Sequence, residues 1–85
     1  MKEVQMFYLA SCPHCKRAFK FLDELTKEPR YKEIPIKKIE ESEEPDIANA
    51  MDYYYVPTFF VDHKKIHEGV IEKEDVIRVL EAALT

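Results

Sequence analysis

At Cys12-Pro13 the apolar residues change their spacing, and this step constrains the fold more than any other feature of the chain. Residues 3–9 alternate, with Val4, Met6 and Tyr8 on one side and Phe7 and Leu9 on the other. Apolar side chains on both sides predict a central strand covered on both faces. From Cys15 onward the spacing is helical: Cys15, Ala18, Phe19, Leu22 and Leu25 share one face, while Lys16, Arg17, Lys20, Asp23 and Lys27 lie mostly elsewhere. Pro13 suits the first helical position, where its missing N–H costs nothing, and this places Cys12 at the cap. Glu28-Pro29 is expected to end the helix, because a residue before proline is pushed out of the helical region.

Residues 31–39 carry Ile34, Ile36 and Ile39 among lysines and glutamates, and Pro35 removes a ladder donor, so an edge strand is expected there. An acidic loop over 40–45 leads to a short helix over 46–53, with Ile47, Ala50 and Met51 facing inward. Residues 57–61 form a short apolar strand, 62–65 a polar turn and 66–69 a returning strand, together a hairpin. The single glycine, Gly69, marks where the chain leaves the sheet. The closing helix starts near Glu72, with Glu72, Glu74 and Asp75 suited to its positive end, and should bury Val76, Ile77, Leu80 and Leu84. The order βαβαββα pairs two parallel strands through a helical crossover and adds an antiparallel hairpin. The expected class is α/β: a four-stranded mixed sheet flanked by helices in three layers. A chain of 85 residues has room for one such domain, spanning 1–85.

The net charge of -4 arises from interspersed acids and bases, with no basic stripe to neutralise phosphates, so no nucleic acid partner is expected. The apolar run near the N-terminus is too short for a signal-peptide core or a membrane span. The expectation is therefore a cytoplasmic monomer with no membrane association. In that compartment structural disulfides are rare, and a close cysteine pair points to redox chemistry or metal.

In Cys12-Pro13-His14-Cys15 the first cysteine sits where the unpaired amides and the partial positive charge of a helix end favour a thiolate, and a protonated His14 adds to the effect. Cys12 is the expected nucleophile. Cys15, one turn on and on the apolar face, should be covered and less reactive. Such a pair supports a cycle without a cofactor: Cys12 attacks a disulfide, a mixed disulfide forms, and Cys15 releases it.

Strand, Cys-Pro-His-Cys, helix and the later Val56-Pro57-Thr58-Phe59 together resemble the thioredoxin superfamily over essentially the whole chain. The resemblance implies a thioredoxin-like fold of glutaredoxin size and a thiol-disulfide oxidoreductase with Cys12 and Cys15 catalytic and Pro13 and His14 modulating them. It also implies that Pro57 is cis against the sulfurs and that Val56 offers backbone hydrogen bonds to an extended substrate. Disulfide-containing proteins or small molecules are the implied substrates, with a reductase or glutathione as electron donor. The length, the absence of a tryptophan before Cys12 and the following Lys16-Arg17 are similar to glutaredoxins. Leu9 stands where many glutaredoxins have a lysine, Met6 where thioredoxins have a buried aspartate, and Glu68-Gly69-Val70 replaces the glutaredoxin Gly-Gly.

Other readings use the same residues. A Cys-x-x-Cys can be half of a zinc site, with His63 and His67 as the remaining ligands of a structural module. The fold can also serve as a non-catalytic binding domain, or as a cluster carrier using Cys12 with glutathione. Tyr53, Tyr54 and Tyr55 either rim a binding surface or close the core. Lys16 and Arg17 either attract anionic substrates or are solvated helix charges, and the run from Glu40 to Glu44 reads as a soluble loop.

Overall fold

Strand β1 (Val4–Tyr8) takes an inner place in the sheet because it offers apolar side chains to both faces. The structure, a computed structural model, describes residues 1–85. After β1 come α1 (Pro13–Leu25), β2 (Ile36–Glu40), α2 (Pro45–Asn49), β3 (Thr58–Val61), β4 (Lys64–Glu68) and α3 (Lys73–Leu84). The strands lie in the order β2-β1-β3-β4. β1 runs parallel to β2 and antiparallel to β3, and β3 pairs antiparallel with β4. This is the expected α/β architecture, with β2 on an edge.

Val4 and Met6 point to one face, where Ala18 and Leu22 of α1 and Val76 and Leu80 of α3 cover them. Phe7 points to the other, into a smaller cluster with Ile39, Ala48 and Phe60, bordered by Met51 and Tyr53. The Phe7 ring lies 5.0 Å from that of Tyr53 and 5.7 Å from that of Phe60, centre to centre. Offset and edge-on aromatic contacts at this spacing add to the value of the buried area. The sheet is therefore sandwiched between the α1/α3 pair and the thinner layer built on α2.

Several boundaries differ from the sequence expectation. α1 stops at Leu25 because Thr26 caps it, its Oγ1 donating to Leu22 O at 2.7 Å. Residues 26–33 are turns, and β2 begins at Ile36 rather than 31, since Pro35 has no donor and contributes only its carbonyl, which accepts from Val4 N at 2.9 Å. Glu40 belongs to β2, not to the acidic loop. α2 is a single short segment that buries Ala48; Ile47 and Ala50 are exposed and Met51 lies beyond the helix. The hairpin turn is Asp62-His63 alone, both left-handed at φ 53° and 66°, and Lys64 and Lys65 already pair in β4. Two left-handed residues match the twist of a two-residue hairpin. α3 buries Val76, Val79, Leu80 and Ala83, while Ile77 and Leu84 sit at the margin, as does Phe19 of α1.

The end of α3 is bolted to the turns after α1. Glu81 accepts from Arg30 Nε and Nη2 and from Tyr31 Oη, each at 2.6 Å. These bonds, Arg30 first, hold its carboxyl down at about 2 against an ordinary 4.5. At the other end Arg17 donates to Ile71 O at 3.2 Å and pairs with Glu72, the N-cap of α3, which shares a reciprocal capping box with Asp75.

A carboxylate held low stabilises the fold above its ordinary value and loses that contribution as pH falls from 4.5 towards about 2. Urea unfolding across a pH series should show an acid limb in that window that Glu81→Gln makes shallower; the slope at neutral pH should not change. Leu80→Ala, at a fully buried position, should lower unfolding free energy by about 2–5 kcal/mol with an unaltered denaturant slope.

Candidate active site

The Cys12-x-x-Cys15 segment occupies the junction where β1 ends and α1 starts. Cys12 is the N-cap in extended conformation (φ -78°, ψ 121°) and Pro13 follows at the first helical position. Its backbone is fixed on both sides: Cys12 N donates to Leu9 O at 3.1 Å and Cys12 O accepts from Lys16 N at 3.1 Å. The sulfur makes no capping bond to the helix amides. It points instead across the surface to Val56 O, 4.0 Å away.

Cys15 is 1 % exposed, whereas Cys12 is partly exposed, and the two are not bridged. One helical turn thus separates an accessible sulfur from a covered one. Burial pushes the Cys15 thiol up to about 12; a Leu9 backbone hydrogen bond opposes this, and a hydrogen bond with Cys12, the charge of Cys12 and that of Glu41 add to it. Pro13 and His14 are exposed on the first turn. The Val56-Pro57 bond is cis, Pro57 is fully buried, and Pro57 O accepts from Gly69 N at 2.9 Å.

Two carboxylates without a distinctive sequence signal, Glu41 and Glu68, hold the tyrosines that precede Val56. Glu41 follows β2, with its N–H on Tyr8 O at 3.0 Å, and its carboxylate accepts from Tyr53 Oη at 2.6 Å. Burial, then that bond, pushes the Tyr53 hydroxyl upward. Tyr53 is therefore a core residue with a polar tip, while Tyr54 and Tyr55 are 84 % and 70 % exposed. Glu68, at the end of β4, accepts the backbone amides of both Tyr54 and Tyr55. Only the pairing of β3 with β4 reveals that contact; the Lys65 to Glu68 spacing was the one local hint.

The histidines considered for zinc are elsewhere. His63 lies in the hairpin turn. His67 Nε2 faces the carbonyls of Val70 at 2.8 Å and Gly69 at 3.3 Å, so it carries the proton, and Nδ1 meets Arg78 Nη2 at 3.3 Å. No three His, Cys, Asp or Glu side chains come together as a metal-holding group, so the additional ligands that zinc needs are not assembled beside Cys12 and Cys15. No helix is long and apolar enough to cross a membrane.

The fold agrees with several solved structures. A malarial protein superposes with a TM-score of 0.77 at 19 % identity, over 100 % of this chain and 99 % of its own. Thioredoxin from Malassezia sympodialis gives 0.77 at 20 % identity, covering 99 % of this chain and 76 % of that one. Oxidized mitochondrial thioredoxin 3 from Saccharomyces cerevisiae gives 0.74 at 26 % identity, with 95 % and 77 % covered. A search of curated proteins gave no match. The family model described as Thioredoxin domain matches residues 2–81. With nearly its full length matched to that family and the fold in agreement, the chain belongs to the thioredoxin domain family.

Proposed function

We propose that the chain is a thiol-disulfide oxidoreductase that reduces protein or small-molecule disulfides through Cys12 and Cys15. The observation that carries this reading is the asymmetry of the pair: an accessible sulfur at the start of α1 and a covered one a turn later, in a member of the thioredoxin domain family. The Cys12 thiolate attacks one sulfur of a substrate disulfide; that bond breaks, the departing sulfur leaves as thiolate, and a mixed disulfide joins Cys12 to substrate. Cys15 then loses its proton and attacks Cys12 Sγ, which expels the second substrate thiolate and leaves the Cys12–Cys15 disulfide. Two electrons pass from the pair to the substrate, whose two thiolates take up two protons. A reductase or glutathione returns the pair to the dithiol.

The high position of the Cys15 thiol serves this order of events. While substrate is absent Cys15 stays protonated and covered, and it becomes a nucleophile only when the disulfide it must attack is attached one turn away. His14 and Pro13 act on the potential of the pair, and Val56 and Pro57 form the surface against which substrate lies.

Cys12→Ser should abolish turnover of a disulfide substrate, and Cys15→Ser should accumulate a mixed disulfide visible by intact-mass spectrometry; full activity of Cys12→Ser would sink the reading. Iodoacetamide at neutral pH should label Cys12 of the native reduced protein at least about tenfold faster than Cys15, a difference that vanishes in denaturant. Titration against glutathione should give a potential between about -270 and -200 mV, whereas a value near about -120 mV would reverse the direction of net flow.

A further inference from the structure

One carboxylate holds the segment that precedes Pro57. Glu68 Oε2 accepts the amide of Tyr54 and, at 2.9 Å, that of Tyr55, while its Oε1 is bound by Lys65 Nζ at 2.8 Å. Lys65 reaches on to Asp52 O at 3.2 Å, and Thr58 Oγ1 donates to Tyr55 O. β4 thus braces residues 52–55 from below. Beside the held amides of Tyr54 and Tyr55, the Val56 N–H has no acceptor within the protein, and the Val56 carbonyl faces Cys12 Sγ.

This pattern of filled and open backbone groups has a chemical consequence. An extended peptide adds to an edge through free N–H and C=O groups, and an amide already bound to a charged carboxylate is a poor partner, since that stronger bond must first be given up. A substrate strand that slipped by one residue, from Val56 to Tyr55, would meet an amide held by Glu68 and a carbonyl held by Thr58. Slippage by one also turns every side chain of an extended strand to its opposite face, which would carry the substrate sulfur away from Cys12. Resting on the dithiol reading above, we propose that Glu68 is a positioning residue that fixes the register of an extended, disulfide-bearing peptide over Cys12. The outward Tyr54 and Tyr55 side chains flank that strand. Lys65 and the two amides hold the Glu68 carboxyl at about 2, so the brace keeps its charge throughout the neutral range. A small disulfide has no backbone to align and reaches Cys12 without this help.

The test compares reduced wild type, Glu68→Ala and Glu68→Gln on two substrates: a linear peptide whose cysteine carries a disulfide-linked fluorescent thiol, and bis(hydroxyethyl) disulfide. Glu68→Ala should lower kcat/KM for the peptide about tenfold, mainly through KM, as expected for losing a hydrogen bond to a charged group. Its rate with the small disulfide and the potential of the pair should not change. Glu68→Gln keeps an acceptor oxygen and should recover part of the peptide rate; if the alanine variant does not fold, a loss confined to the peptide in this variant decides the matter. Amide exchange at Tyr54 and Tyr55 should quicken in the variants. Equal losses on both substrates, an undiminished peptide rate or unchanged exchange would overturn the role of Glu68 while leaving the dithiol cycle intact. Wild type that turns over neither disulfide would remove that cycle, and this role with it.

Discussion

The burial of β1 on both faces is the constraint on which the other elements depend. A strand with Val4 and Met6 on one side and Phe7 on the other, all without exposed surface, needs cover from two directions and neighbours along both edges. β2 and β3 supply the edges; α1 and α3 supply one cover and the α2 layer the other. Because the strand is anchored so fully, the point where it ends is fixed as well. Cys12 occupies that point, four residues past the end of the sheet ladder and at the first turn of a helix that must lie back over Val4 and Met6.

The difference between the two cysteines follows from the same geometry. A helix presents opposite surroundings to residues at its cap and to residues one turn in on its packed face. Ala18, Leu22 and Leu25 continue the stripe that begins with Cys15, so that burying the helix covers Cys15 and leaves Cys12 at the rim. No residue near the pair has to be specially placed to create this contrast. The Glu41 charge then adds a lesser push to a thiol that burial has already raised.

What the sequence reveals is mainly what neighbouring residues decide. The alternation in β1, the proline after Cys12 and the single glycine carry their meaning within a few positions, and the element order follows from them. Features set by distant partners are harder to read. Ile77 and Leu84, expected inside, belong to the same apolar helix as Val79 and Ala83, and only its packing against α1 and the sheet buries the latter two instead. Asp62-His63 becomes a tight left-handed turn because β3 and β4 pair right up to it. The cysteines and the Val56-Pro57 step are visible as motifs, but Glu68 is an ordinary surface acid until β4 folds beneath the segment it binds.

Lysines mark both outer strands of the sheet. β2 exposes Lys37 and Lys38, and β4 exposes Lys64 next to Lys65, whose ammonium is tied to Glu68. Two molecules meeting strand to strand at either border would have to bring paired ammonium groups into close approach and strip them of water. Charge on the two outer strands thus opposes extension of the sheet beyond its four strands.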